Sequence, residues 1–313
     1  MVSDVRVGVI GLGNMGAALA QRLQELVAEV VVFDVRAEAM TTAARFGATA
    51  SLSPREVGER SDVVVASLPS PAIALEVAQE VGTSTQLRAY VETSTVGPLA
   101  VRKIASALAV PVIDAPLSGG PRGILSGKLT SYVSGPEAIR QEIANWFDEL
   151  CPIRIVVGEQ AGVAQIAKLV NNAVSLSGMA IACEAIAVGV ASGVDPKTVV
   201  EAVNSGTGRN SATESKIPKS VLTGTFDFGG PVFLAEKDLE LYQSLAEEAG
   251  IRESLTNSAL EAFREAILKF GVNADYTEIA RVFESAVGAE IRHRPAVAGG
   301  GLGSNGWRSE HLD

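Results

Sequence analysis

Histidine and cysteine are almost missing from this chain, with two of each among 313 residues. A zinc site needs three or four thiolate, imidazole or carboxylate ligands, and His293 and His311 both fall in the last stretch of the chain. No metal is therefore expected, and an imidazole base is disfavoured on the same ground. Cys151 and Cys183 stand apart with no CxxC pair, which excludes a disulfide framework. A tyrosine base backed by a lysine one helical turn later is also excluded. The positions four beyond Tyr90, Tyr132, Tyr242 and Tyr276 hold Ser94, Pro136, Ala246 and Ala280. Positive charge is short as well. A formal net charge of -10 opposes nucleic acid and anionic membrane as partners, although a local basic pocket for a small anion remains allowed. The chain opens on a strand with no leader-like segment before it, so a cytoplasmic location is expected.

Apolar residues are plentiful at 47%, against 20% charged, enough for a large core and for two domains. The first half alternates short apolar runs (Val5-Ile10, Val30-Phe33, Val63-Leu68, Ala89-Val91, then weaker ones at Val112-Ile113, Leu129-Val133 and Ile153-Val157) with helical stretches near 15–26, 37–46, 71–81, 97–108 and 136–149. Runs that are apolar throughout fit parallel strands covered on both faces. The alternation predicts an α/β fold with a doubly wound parallel sheet of Rossmann type. After Gly158 no strand is expected. A helix runs from about Ala161 to Ser192, Gly193 ends it, and Asp195 caps the next ahead of Pro196. Further helices are expected near 195–204, 211–222, 234–249, 253–270 and 275–288. The organisation expected is a Rossmann domain over 1–160, an all-helical domain over 161–288 and a flexible tail over 289–313 that contains AGGGLGSNG. Residues 173–194 are apolar enough to resemble a membrane span. Their richness in Ala, Gly and Ser reads instead as a fully buried helix in close helix–helix contact.

The first strand runs into GLGNMG: Gly11, Leu12, Gly13, Asn14, Met15 and Gly16. Between a strand and a helix this is a dinucleotide-binding turn. Gly11 serves the tight turn, Gly13 the approach of a pyrophosphate and Gly16 helix-on-strand packing, with the free N–H groups of the helix start facing the phosphates. Asp34 ends the second strand, 18 residues past Gly16, where a carboxylate accepts both ribose hydroxyls of NAD and repels a 2'-phosphate. Arg36 could instead pair with such a phosphate, so NAD is preferred and NADP is kept open.

With zinc, histidine and the tyrosine–lysine pair set aside, a lysine or a carboxylate is left as the general base of a dehydrogenase. Lys168, Asn171 and Asn172 share a helix face among Ile166, Leu169, Val170 and Val174. A polar cluster there is costly without partners. From spacing alone it serves equally as a structural link between domains or as a catalytic group.

The order of four motifs resembles the β-hydroxyacid dehydrogenases, over residues 5 to about 288: GLGNMG, DAPLSGGPRGILSGKLT (114–130), GVAQIAKLVNN (162–172) and EKDLELYQSLAEEAG (236–250). The resemblance implies an enzyme that moves a hydride between a nicotinamide cofactor and a small carboxylate-bearing β-hydroxy acid or its semialdehyde, working as a homodimer or homotetramer. Ser118, Gly119 and Gly120 would hold the substrate carboxylate. Lys168 would be the acid/base, with Asn172 orienting the substrate. Lys237 would lie against the cofactor, with Asp238 nearby, Leu68 and Pro69 along the adenosine half and Thr95 on the nicotinamide side. The alternatives are a reductase of another small aldehyde acid, such as tartronate or succinate semialdehyde, and a non-catalytic dinucleotide-binding paralogue. The paralogue would be expected to have lost the lysine that this chain keeps. Two features depart from the pattern. Pro121, Arg122 and Lys128 replace a small neutral stretch, and the two charges are read as solvent-facing. The polar segment 205–216 falls where the family's helical domain closes over substrate, and Arg209 is its candidate contact. A free lysine ionises near 10.4; desolvation by Ile166 and Leu169, with Lys237 nearby, should lower Lys168.

Overall fold

The computed structural model of the chain describes residues 3–251 and 255–292. Strands and helices alternate up to Gly158. In order they are β1 (Ser3–Ile10), α1 (Asn14–Leu23), β2 (Val27–Phe33), α2 (Ala37–Arg45), β3 (Thr49–Ala50), α3 (Pro54–Arg60), β4 (Val63–Ala66), α4 (Pro71–Val81) and β5 (Ala89–Glu92). They continue with α5 (Pro98–Ala107), β6 (Val112–Asp114), β7 (Leu117–Ser118), α6 (Gly120–Leu125), β8 (Thr130–Ser134), α7 (Glu137–Glu142), α8 (Ala144–Leu150) and β9 (Ile153–Gly158). All pack into one sheet of order β3-β2-β1-β4-β5-β6-β8-β7, with β9 beside β8. The order reverses between β1 and β4, and a ligand crevice in such a sheet lies at the carboxyl ends of the strands there.

The apolar runs are buried on both faces, as their composition predicts. Along β1, β2, β4 and β5, alternate residues enter two separate cores. Val7, Val9, Val30, Val32, Val63, Val65 and Val91 enter one; Ile10, Val31, Val64, Ala66 and Tyr90 enter the other. The pairs β1–β2, β1–β4, β4–β5 and β5–β6 are parallel. The far edge departs from the expected parallel sheet, because β8 runs antiparallel to β6 and β7. The segment between β7 and β8 holds only short α6 and cannot carry the chain across the sheet as a parallel connection requires. The single helix expected over 136–149 is two, broken at Ile143.

Beyond Gly158 the described chain is helical apart from one isolated bridge between Pro231 and Asp275. It comprises α9 (Val163–Ala191), α10 (Pro196–Ser205), a π-helix over Ala212–Val221, α11 (Val232–Glu248), α12 (Thr256–Phe270), a 3-10 turn at Tyr276–Glu278 and α13 (Ile279–Val287). Asp195 caps α10 through Thr198 N at 3.1 Å, as expected. Met179, Cys183, Ile186, Leu239, Leu260 and Phe263 form the core of this region. The expectation that residues 173–194 are buried all round is corrected. One face of α9 is open, with Val174 73% exposed and Val170, Ile181 and Val188 exposed with it. These positions recur every four or seven residues and so share one stripe, opposite the packed face. The tail expected from residue 289 is packed as far as Ile291, which is buried and donates its N–H to Glu284 Oε1 at 2.7 Å. From His293 onward the tail, with His311 and AGGGLGSNG, lies outside the described residues.

Candidate active site

The glycine turn follows β1 at the point where the strand order reverses. Gly11 has φ +87°, and a Cβ built on it would lie 2.2 Å from the carbonyl oxygen of Ser67. A Cβ on Gly16 would lie 1.8 Å from the carbonyl oxygen of Gly11, so α1 can approach the turn only with glycine there. A Cβ on Gly13 meets nothing within 4 Å. The turn is thus closed against protein on two sides and open on the third. Gly13 is the N-cap of α1 and offers no side-chain acceptor, which leaves the first N–H groups to an anion. These residues fit the pyrophosphate of a dinucleotide. Leu12 is buried, while Asn14 is exposed and Met15 half-buried.

Asp34 and Arg36 stand together at the end of β2. Asp34 accepts hydrogen bonds from Leu12 N at 2.6 Å, Arg36 N at 2.8 Å and Arg36 Nε at 3.0 Å. Burial pushes its pKa up, but the bonds from Arg36 and Leu12 outweigh burial and hold it below the usual range. The guanidinium also donates to Leu12 O at 2.8 Å. The carboxylate suited to ribose hydroxyls and the cation suited to a 2'-phosphate are therefore partners in one cluster. Leu68 N donates to Ser94 Oγ at 2.7 Å just beyond β4, with Pro69 exposed beside it.

The start of α9 is fastened to the sheet by a residue that sequence inspection passed over. Gln165 lies one turn ahead of Lys168 and is fully buried. Its Oε1 accepts from Val96 N at 2.9 Å and Gly97 N at 3.0 Å; its Nε2 donates to Ser94 O at 3.0 Å and Asp114 Oδ1 at 2.7 Å. Asp114 in turn accepts from Gly162 N and Gln165 N, at 3.1 and 3.2 Å. Burial raises the pKa of Asp114 to about 6 and that of nearby Glu92 to about 7. A lone glutamine and two lone acids beside apolar runs were the available signal.

One turn further on, Lys168 is 7% exposed. Burial brings its pKa down to about 8, with Lys237 and Lys216 pushing the same way and Asp238 opposing. Desolvation is thus the leading cause, as the sequence implied, but the neighbours differ. Leu169 is buried and Ile166 half-buried, whereas Val170 and Val174 point outward. At 3.6 residues per turn they fall on the far side of the helix from Lys168. Asn172 donates to Asp238 Oδ2 at 2.6 Å, and Asn171 donates to Asn172 Oδ1 at 3.1 Å. From α11, Lys237 pairs with Asp238 Oδ1 at 3.0 Å and donates to the carbonyl of Thr95. The N-cap position of α5 is Gly97. The chain Asn172–Asp238–Lys237–Thr95 so joins the lysine helix to the loop after β5.

Beside Asn172 opens a cavity of about 200 Å³, lined also by Ser175, Leu176, Lys216, Pro231 and Tyr276. Lys216 was not singled out from the sequence, although it ends the polar segment that was. Arg209, the candidate from that segment, is exposed and does not line the cavity. Ser118 ends β7, half-buried, followed by Gly119 and Gly120 with φ +131° and +67°. Arg122 and Lys128 are exposed, as expected for solvent-facing charges. A shallower hollow of about 380 Å³ between α4 and α5 holds none of these groups.

Residues 6–158 match the family model described as the NAD binding domain of 6-phosphogluconate dehydrogenase. Residues 162–283 match the model described as NAD-binding of NADP-dependent 3-hydroxyisobutyrate dehydrogenase. The mitochondrial 3-hydroxyisobutyrate dehydrogenase of Mus musculus is 30% identical over 298 residues, 89% of this chain and 87% of that one. The 2-(hydroxymethyl)glutarate dehydrogenase of Eubacterium barkeri is 28% identical over 304 residues, 93% of this chain and 99% of its own. In fold, the chain is similar to the solved 3-hydroxyisobutyrate dehydrogenase of Salmonella typhimurium, with a TM-score of 0.78 at 23% identity, covering 89% of this chain and 100% of that one.

Proposed function

The chain belongs to the β-hydroxyacid dehydrogenase family, and from that premise we propose how its residues carry the family's chemistry. It is an NAD(P)-dependent oxidoreductase acting on a small β-hydroxy acid or its semialdehyde. The nicotinamide dinucleotide, when bound, supplies the hydride acceptor or donor. The observation that carries the reading is a buried lysine of lowered pKa one helical turn before Asn172, which lines a cavity together with Asp238. Neutral Lys168 takes the substrate hydroxyl proton on Nζ during oxidation, and its ammonium returns that proton during reduction. Asn172, held by Asp238, orients the hydroxyl. Ser118 and the N–H groups of Gly119 and Gly120 hold the carboxylate.

The test is a panel of hydroxy acids run with NAD and NADP in parallel. A hydroxy acid should exceed its own carboxamide by at least about 10-fold in kcat/KM, because the donors at Ser118 are left without a charged acceptor. Equal efficiency would remove the carboxylate site. NAD should be preferred, and Asp34→Ala should shift preference toward NADP by freeing Arg36. Unchanged discrimination in that variant would show that Asp34 does not contact the ribose.

A homodimer or homotetramer belongs to this reading, supported by the exposed stripe Val170, Val174, Ile181 and Val188, which a second copy would cover. A monomer in sedimentation at assay concentrations would dismiss it. A cytoplasmic location is proposed with it; Cys151 and Cys183 are both unpaired and buried.

A further inference from the structure

We propose that Lys216 anchors a second carboxylate on the substrate, so that the preferred hydroxy acid is a dicarboxylate. This deepens the reading above and rests on it, since it takes the cavity beside Asn172 as the place of the hydroxy acid. Lys216 lies in the π-helix over Ala212–Val221, a rare winding that recurs at functional sites. Its ammonium donates to Ser175 Oγ at 2.8 Å and Ser211 Oγ at 3.3 Å and stands 5.8 Å above the Tyr276 ring. None of these partners carries negative charge, and no ion pair to Lys216 forms among the described residues. Burial alone brings its pKa down to about 8, the mark of a desolvated cation without a counter-charge.

The surrounding charges do not supply one. Lys168, Lys216 and Lys237 converge here with Asp238 as the carboxylate among them, and Asp238 is already committed to Lys237 and Asn172. One substrate carboxylate goes to Ser118 and its glycines in the reading above, which leaves Lys216 unmatched. An ammonium has three donors, and two are spent on Ser175 and Ser211. The remaining one suits a single carboxylate oxygen. A phosphate dianion calls for several donors or a guanidinium fork, and Arg122 and Arg209 are exposed away from the cavity. The cavity that Asn172 and Lys216 both line has apolar walls from Leu176, Pro231, Leu234 and Ala235. The fitting ligand is thus a β-hydroxy acid whose α-carbon bears a short methylene arm ending in a carboxylate.

The experiment compares three compounds with the same reacting centre: 3-hydroxy-2-methylpropanoate, 2-(hydroxymethyl)glutarate and the side-arm amide of the latter. In wild type the dicarboxylate should exceed its amide in kcat/KM by at least about 10-fold, the yield of one charge-assisted hydrogen bond. Lys216→Met should erase that ratio, mainly through KM, and Lys216→Arg should keep most of it. A second measurement needs no variant. Calorimetric titration of the NADH-loaded enzyme should show glutarate binding at least about 10-fold more tightly than butyrate. Equal efficiency on acid and amide, a ratio that survives Lys216→Met, or equal binding of glutarate and butyrate would each overturn the proposal while leaving the oxidoreductase reading in place. Turnover of none of the three compounds, with glutarate still preferred over butyrate, would support the anion site and count against the acid–base reading instead.

Discussion

Replacing Lys168 by alanine is expected to lower kcat by at least about 10²-fold, the lower range of general acid–base catalysis, while NADH still binds. The glycine turn that holds the dinucleotide is built by β1 and α1, and Lys168 contributes nothing to it. The sign of the pH dependence follows from the lowered pKa. Burial favours the neutral amine, so the reactive base accumulates as pH rises through about 8. Oxidation should therefore climb through that region, and reduction, which needs the ammonium, should decline through it. Lys216 is brought to about 8 as well, so the limb is assigned by its disappearance in Lys168→Ala rather than by its midpoint. Lys168→Arg should not rescue, because a guanidinium stays charged and cannot accept the proton. Near-normal turnover by the alanine variant would sink the mechanism and direct attention to Asp238.

The second large effect separates two glycines of one turn. Gly16→Ala places a methyl 1.8 Å from the carbonyl oxygen of Gly11, a backbone atom that cannot move without opening the turn. Overpacking of this kind costs about 1–3 kcal/mol or more, so Tm should fall by several degrees and cofactor binding with it. Gly13→Ala meets no protein atom within 4 Å. Its Tm should stay near wild type, yet the methyl projects into the space a pyrophosphate would occupy, and NADH should bind at least about 10-fold more weakly, or about 1.4 kcal/mol. Differential scanning fluorimetry and fluorescence titration read the two effects separately. A Gly13→Ala protein that binds NADH like wild type would refute the placement of the cofactor over this turn.

The strands of the dinucleotide half were legible because each reads as apolar throughout, and the alternation of Val63, Val64, Val65 and Ala66 between two cores shows why. Pro54 suits a first helical turn, but no range was given to helix α3, although its start is spelled out: Pro54 follows Ser53, whose hydroxyl accepts from Glu56 N at 3.1 Å, and the Glu56 carboxylate answers by accepting from Leu52 N at 2.7 Å. Strand β7 is two residues long and carries no period to detect. At the candidate site, spacing brought out Lys168 and Asn172 because they share a helix. Lys216 and Gln165 were missed because their partners are distant in sequence: Lys216 meets Ser175 from another helix, and Gln165 meets Asp114 across 51 positions. Arg209 was named because its polar segment falls where the family's helical domain closes over substrate, yet the residue of that segment that lines the cavity is Lys216, on the π-helix.

The buried bonds of Gln165 and Asp114 have a mechanical consequence. They tie the first turn of α9 to the loop after β5 and to the end of β6 through the side chain of Gln165 on one hand and the carboxylate of Asp114 on the other. A helix anchored so cannot pivot at its root, and Lys168, one turn above the anchor, travels with the sheet. Any closing of the cleft has its hinge elsewhere. Lys216 is tied to the same helix through Ser175, and α11 joins the frame through Lys237 to Thr95 and Asp238 to Asn172. In the mechanism proposed above, Lys168 is thereby held at a fixed place relative to the sheet that carries the dinucleotide turn.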